Sequence, residues 1–306
     1  MDVSIIIVNY NTLQMTQECI DSIFEKTTGL DFEVILVDNA STDGSKDHFE
    51  REERIKYIYS EKNLGFGRAN TLGYEQSTGD YIFLLNSDTL LLNNAIFEFY
   101  EYIKSAPSQV CCLGCELVDI DGMPSYSFGT FPSNRIFLGM IMKLYHLKFK
   151  ALSFPSFFQG EHPLTVDYSS GADMFIRRKV VEELGFFDPD FFMYFEEVEL
   201  QYRYHTKGYI SQVIDTPKIM HLLGGSELKK NKSTHSLRTK IIELESRYIY
   251  CSKVFKPIES FFMPILHLLL IPKILLYRVC WKEKTCMLSV ILNNLFRRPS
   301  SSMFVR

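Results

Sequence analysis

Positive charge is scarce over the first 226 residues and crowded after them. Residues 227–306 hold 15 Lys and Arg against 5 Asp and Glu, a local charge of +10, which leaves −14 on the body of a chain whose net charge is only −4. A body this acidic offers no basic footprint, and no nucleic-acid partner is expected. Cys112-x-x-Cys115 has metal or redox spacing, but no second Cys or His pair stands near it to complete a zinc site. The seven cysteines form no disulfide framework, so small buried thiols in a cytosolic protein are expected. No basic segment precedes the first apolar run in MDVSIIIVNYN, which argues against a signal peptide. The charge-free stretch SFFMPILHLLLIP (260–272) has 13 residues, short of the roughly 20 that span a bilayer. Internal repeats and low-complexity segments are absent.

What is present is ordinary for a globular chain: 306 residues, 46% hydrophobic and 23% charged, enough for one large domain or two smaller ones. Residues 3–8, 32–37, 55–59 and 81–85 read as short buried strands. Helical stretches alternate with them. One runs from a cap at Asn11 to about residue 26, and another covers 65–77. This alternation predicts an α/β fold with a mainly parallel, doubly wound sheet. After residue 94 the pattern changes. Strands near 110–119 and 124–128 flank a turn at Asp121-Gly122. An aromatic-rich stretch follows, then a strand at 172–177, a helix near 196–207, and short strands at 210–213 and 218–220.

Ligands of open α/β sheets bind beyond the C-terminal ends of the parallel strands. Residues 9–11, 38–41 and 86–88 therefore share one rim. Asp38 there is a carboxylate for a base or ribose, or an Asx turn or helix cap. Asp88 is a hard oxygen ligand for Mg²⁺ or Mn²⁺ on a diphosphate, or the cap of a helix beginning near residue 91. NLGFGRAN (63–70) follows the third strand rather than the first, so a dinucleotide fingerprint is a weak reading. Its glycines allow a tight backbone, and Arg68 is a phosphate partner or a surface arginine. In FFMYFEEVELQYR (191–203), Glu196 and Glu199 share a helix face while Glu197 points elsewhere. Acids among aromatics suit a general base; an acidic first turn with a Glu199–Arg203 pair is the plainer reading. His221 is a metal partner for Asp88 or an ordinary half-buried histidine.

Taken in order, SIIIVNYN, VDNASTDGS, NLGFGRAN, YIFLLNSDT, GADMFIRR, GFFDPDFFMYFEEVELQYR and HLLGGS resemble the family 2 glycosyltransferases of GT-A fold, in particular bacterial rhamnosyltransferase-like members. ESRYIYCSKVF (245–255) looks like the segment that follows their catalytic domain. The resemblance implies a Rossmann-like mixed, mainly parallel sheet flanked by helices in a catalytic domain over 1–226, with a nucleotide half to about 94 and an acceptor half beyond it, then a basic, apolar helical segment over 227–306. It implies that Tyr10, Asn11 and Asp38 hold base and ribose, with Arg68 and Asn70 near the nucleotide. Asn86-Ser87-Asp88 stands in the place of the Asp-x-Asp metal motif, so Ser87 and Asp88 meet the nucleotide. Asp88 and His221 become the ligands of Mn²⁺ or Mg²⁺. Glu197, beside Glu196, becomes the base, and Ala172 and Asp173 line the acceptor side. Asn86 replaces the motif's first Asp and removes a charge. Glu197 replaces an Asp and adds a methylene.

The implied reaction is inverting transfer from a dTDP- or UDP-linked sugar to a hydroxyl of a glycan or lipid-linked glycan, in bacterial surface polysaccharide synthesis. dTDP-rhamnose, UDP-galactose and UDP-N-acetylglucosamine stay open as donors. A glycosidase would need two flanking carboxyls and ranks low. A sugar nucleotidyltransferase would show a Gly-rich basic loop after the first strand, which VNYNTLQ lacks. A degenerate transferase that only binds glycan or nucleotide is the non-enzymatic alternative. The expected location is cytoplasmic, or peripheral on the inner face of the membrane. Two readings of the tail, with its Phe261, Phe262, Leu266, Leu275, Leu276 and Trp281, stay open: an interfacial helix pair on anionic lipid, or a helical hairpin on the catalytic part or on a homodimer partner.

Overall fold

Val3–Asn9 (β1) and Phe32–Asp38 (β2) are runs rich in Val, Ile and Leu that are buried along most of their length. They pair in parallel from Val3↔Phe32 to Asn9↔Asp38, so two polar residues finish side by side. The computed structural model describes residues 1–133, 162–222, 237–256, 260, 265, 285 and 288–292. In it Lys56–Tyr59 (β3) and Tyr81–Asn86 (β4) extend the parallel block on either side. Val110–Cys115 (β6), Leu164–Val166 (β8), Asp173–Arg177 (β10) and Ile210–Ile214 (β11) complete a sheet of order β3-β2-β1-β4-β10-β6-β11-β8. β10 runs antiparallel to both β4 and β6, so the sheet is mixed beyond β4, as the GT-A resemblance implies. Two small ribbons stand off it: Thr89–Leu91 (β5) with Ile219–His221 (β12), and Phe128–Gly129 (β7) with Tyr168–Ser169 (β9).

Alternate residues of the central strands feed opposite cores, as a period of two requires. Ile5, Ile7, Leu36, Phe83 and Leu85 pack with Leu13–Lys26 (α1) and Ala95–Ser105 (α4). Ile6, Ile82, Leu84, Met174 and Ile176 face Arg178–Leu184 (α5) and Glu196–His205 (α6). Ile35 and Val37 meet Ala69 of Phe66–Glu75 (α3), and Ser45–Phe49 (α2) is a single short turn. Leu237–Val254 (α7) joins the body through a separate core, in which Ile241, Tyr248, Ile249, Tyr250 and Cys251 meet Phe191, Val198 and Tyr168.

Three local expectations change. Asn11 does not cap α1, which begins at Leu13; Asn11 takes φ 58°, a conformation Asn tolerates, and its Oδ1 accepts the Thr42 N–H at 2.7 Å. Asn9 Oδ1 takes the Thr12 N–H at 3.2 Å instead. The Asp121-Gly122 turn is present, but its arms meet in a single Val118↔Pro124 bridge. Asp119 Oδ1 accepts the N–H groups of Asp121 and Met123, both at 2.9 Å, and so competes with a longer ladder. Third, Asp88 caps no helix, because α4 starts seven residues after it.

Cys19, Cys111, Cys112, Cys115 and Cys251 are free and buried, as small core thiols. No helix among the described residues is long and apolar enough to cross a membrane. The tail side chains named above lie outside the described residues.

Candidate active site

The rim is tied together by buried amides. Asn39 donates its backbone N–H to the Asn9 carbonyl at 2.8 Å. Its side chain reaches Asn63 Oδ1 and the Gly65 carbonyl, both at 3.1 Å, and accepts the Leu64 N–H at 2.7 Å. Loops after β1, β2 and β3 are thereby one unit. Asp38 is fully enclosed and braced on both oxygens: Oδ1 accepts the Ser41 N–H, three residues on, at 2.8 Å and Oδ2 the Tyr57 hydroxyl at 2.9 Å. Tyr10, 39% exposed, and Asn11 stand outward at the rim. Asn70 is buried inside α3 and donates to the Phe66 carbonyl at 3.0 Å. Arg68 Nε donates to the Pro189 carbonyl at 2.9 Å, which binds α3 to the loop before α6.

Asp88 lies in the turn between β4 and β5. The ladder Thr89↔His221 to Leu91↔Ile219 brings β12 alongside, and the Leu222 N–H donates to the Asp88 carbonyl at 2.9 Å. This pairing sets His221 Nε2 3.2 Å from Asp88 Oδ1, with both side chains largely covered. His221 Nδ1 is buried and has no hydrogen-bond partner. Ser87 Oγ, at 3.0 Å from Thr12 Oγ1, ties the same turn to the start of α1. Two ligands on adjacent vertices of an octahedron around Mg²⁺ are about 3.0 Å apart, so Asp88 and His221 already stand at the spacing of a cation's neighbouring ligands. Among the described residues no three His, Cys, Asp or Glu side chains cluster to hold a metal. Among the described residues these two side chains would be its protein ligands, as suits a cation carried largely by phosphates and water.

Ala172 and Asp173 present almost no surface. The Ala172 carbonyl accepts the Asn86 N–H at 2.9 Å, joining the GAD segment to the end of β4. Asp173 Oδ2 accepts the Cys115 N–H at 2.7 Å, and Oδ1 finds no partner. Burial lifts its carboxyl to about 7, against the pull of the Cys115 N–H and the neighbouring His221.

The glutamate pair divides as helical geometry requires. Glu196 and Glu199 are buried, and Glu197 is half-buried. Glu199 pairs with Arg203 at 3.1 Å, as expected four residues apart. Glu196 packs beside Gly67, almost fully covered, with Oε2 unpartnered. Glu197 lies against Gly171: a Cβ added there would stand 3.7 Å from Glu197 Cβ. Burial pushes Glu197 up to about 7, while the N–H groups of Glu197 and Val198 at the helix start hold it back. Burial and the neighbouring Glu197 push Glu196 well above the usual carboxylate range.

For an acid raised in the folded state, stability falls as pH climbs from the unfolded value toward the folded one, because the folded chain holds a proton the unfolded chain has released. Glu196→Gln should therefore raise the melting temperature at pH 8 and leave it nearly unchanged at pH 5; equal shifts at both pH values would contradict this.

The turn that delivers the pair is strained. Tyr194 and Phe195 take φ 70° and 67°, the left-handed region, which costs an L-residue about 1–2 kcal/mol each. Gly65 makes room beneath it: with φ +82°, an added Cβ would fall 2.0 Å from the Phe192 carbonyl oxygen. The Phe66 N–H donates to that same oxygen at 2.8 Å.

Four further contributors, Asn9, Asn39, Tyr126 and Gln201, were not among the expected site residues. Asn9 and Asn39 fell within the rim clusters, but nothing there separated their bracing role from a ligand role. Tyr126, 51% exposed, meets the hydroxyl of buried Tyr168 at 2.6 Å; both face the charge of Glu197 across a contact between distant segments. Gln201, one turn after Glu197, bonds the Glu197 carbonyl at 3.2 Å and the Ser169 N–H at 2.9 Å. That i+4 spacing was readable.

The family model for Glycosyl transferase family 2 matches residues 4–185. The low-salt glycan biosynthesis hexosyltransferase Agl10 of Haloferax volcanii is 28% identical over 209 residues, covering 66% of this chain and 61% of Agl10. Abequosyltransferase RfbV of Salmonella typhimurium is 30% identical over 130 residues, covering 39% of each chain. The chain therefore spans less than two thirds of the length of either relative. The mannosyltransferase PcManGT from Pyrobaculum calidifontis, solved with GDP-Man and Mn²⁺, superposes with a TM-score of 0.57 at 16% identity, over 96% of this chain and 87% of that one. GalNAc-T7, solved with UDP, GalNAc and Mn²⁺, gives 0.59 at 17% identity, over 86% and 49%.

Proposed function

The chain belongs to glycosyl transferase family 2 and has the GT-A fold, and on that premise we propose that it moves a sugar from a nucleotide diphosphate sugar to a hydroxyl of a glycan or lipid-linked glycan, with inversion at the anomeric carbon. One observation carries this reading: the β5–β12 ladder sets Asp88 and His221 3.2 Å apart at the carboxyl rim of the parallel strands, the rim at which α/β sheets bind ligands.

In the reaction, the acceptor hydroxyl oxygen forms the new bond to the anomeric carbon while Glu197 takes its proton. The bond from that carbon to the diphosphate oxygen breaks on the opposite face, and its electron pair leaves with the diphosphate. A carboxyl raised to about 7 is a stronger base than an ordinary one and still largely ionised just above neutrality. Asp88 and His221 would hold Mn²⁺ or Mg²⁺, which when bound neutralises charge on the departing diphosphate. Tyr10 and Asn11 would meet the base and ribose from the outward side of the rim. Asp38 and Asn70 would act mainly by shaping the wall behind them, and Arg68 by holding the loop before α6 toward the diphosphate. The Ala172–Asp173 backbone, next to Gly171 and Glu197, would border the acceptor. The +10 tail supports docking on an anionic membrane surface, where lipid-linked acceptors reside.

The test is a donor panel. Purified full-length protein is incubated with UDP-galactose, UDP-N-acetylglucosamine and dTDP-rhamnose, with and without Mn²⁺. Metal-stimulated release of nucleoside diphosphate from at least one donor is expected. A protein that binds donors yet turns over none would favour a degenerate, binding-only homologue.

A further inference from the structure

Helix α7, which follows the segment matched by the family model, touches the segment before the base through Ser246, Arg247, Tyr250 and Lys253. Ser246, fully buried, donates its Oγ to the Met193 carbonyl at 2.7 Å. The Arg247 guanidinium lies over the Phe195 ring at 5.7 Å, and the Tyr250 ring packs on Phe195 at 5.6 Å between centroids. Lys253 closes the row with ion pairs to Asp188 at 2.7 Å and Asp190 at 2.6 Å. From the opposite side, the Phe66 N–H and Arg68 Nε hold the carbonyls of Phe192 and Pro189, at 2.8 and 2.9 Å. Residues 188–195 are therefore clamped between the donor-side loop and α7, and the left-handed pair Tyr194–Phe195 lies inside the clamp.

A left-handed conformation at two successive L-residues persists only where the surroundings impose it. Released, the two residues relax toward negative φ, the chain enters α6 at another angle, and Glu197, two residues on, leaves its place. Accepting the reading of Glu197 as base, we infer that Ser246 is a positioning residue for it, and that α7 sets the base by holding the 193–195 turn in its left-handed form. The helix is then a working part of the catalytic machinery, although it lies beyond residue 226.

Ser246→Ala in the full chain should lower kcat by about tenfold or more, measured with the panel donor of highest turnover, while the donor KM is unchanged. Ser246→Thr keeps the hydroxyl and should recover most of the loss. The discriminating step repeats Ser246→Ala in a Tyr194→Gly background. Glycine adopts positive φ without strain, so one of the two left-handed residues no longer depends on the clamp and the loss should shrink. A helix that merely stabilises the fold would give the same loss in both backgrounds, and that result would overturn the inference. So would a wild-type kcat for Ser246→Ala alongside an inactive Glu197→Gln; a Glu197→Gln enzyme with full turnover would instead remove the base assignment itself. Should Ser246→Ala melt below the assay temperature, Lys253→Gln, which removes the two partly exposed ion pairs on the same segment, carries the same expectation and the same refutation.

Discussion

Replacing Glu197 by Gln is expected to lower the turnover of sugar transfer by about 10²–10⁴-fold, while the affinity for the nucleotide sugar, read by calorimetry, stays unchanged. Glutamine keeps the size and the hydrogen-bonding reach of the side chain but cannot take a proton. The position at the start of α6, against Gly171, is preserved. The wild-type pH profile should carry the same signature. Burial pushes Glu197 up to about 7, and only the ionised form acts as a base. Log kcat should therefore rise with pH, with a slope near one below about pH 7, and level off above it. Glu197→Gln should lose that acid limb. A Gln variant with near-normal turnover, or a wild-type limb at the ordinary carboxylate value, would sink the assignment.

The second large effect is expected at Asp88. Asp88→Ala should remove Mn²⁺ binding measured by electron paramagnetic resonance in the presence of UDP, and should cut metal-stimulated turnover by about 10²-fold or more. The size follows from the small number of protein ligands. Asn86 contributes no charge, and Asp88 and His221 stand as a pair at ligand spacing, with no third His, Cys, Asp or Glu clustered to hold a metal among the described residues. Losing Asp88 removes the one carboxylate of that pair and leaves a largely covered histidine. Chelation of the wild type should abolish turnover, and added Mn²⁺ should restore it; the Asp88→Ala protein should stay inactive under the same addition. Asn86→Asp is the reciprocal change and should tighten Mn²⁺, because it returns a carboxylate to the start of the motif. Unaltered Mn²⁺ affinity in Asp88→Ala would place the cation elsewhere.

Much of the scaffold for these sites was readable from residue patterns. The short Val, Ile and Leu runs form β1, β2 and β4 as expected, since strands covered on both faces need apolar residues at every position. Their polar ends identified the rim. The helical spacing of Glu196, Glu197 and Glu199 correctly separated the one glutamate that turns away from the two that are buried. Less of the acceptor half was legible. β10 enters between β4 and β6 in the antiparallel sense, and nothing in DMFIR fixes a direction. The hairpin at Asp121-Gly122 shrinks to one bridge because Asp119 spends its carboxylate on local N–H groups, a competition that turn chemistry permits without announcing.

By itself the sequence determined the strands, their buried faces and the rim where Asp38 and Asp88 finish, because periodicity and β-branched content act over a few residues. It also carried the order of motifs that marks the family. Tertiary structure decided the partnerships. His221 meets Asp88 only because β12 pairs with β5 across more than a hundred residues of chain. Glu197 stands as it does because Tyr194 and Phe195 are held left-handed between Gly65 and α7. Local propensity opposes that turn, so only packing from both sides can impose it.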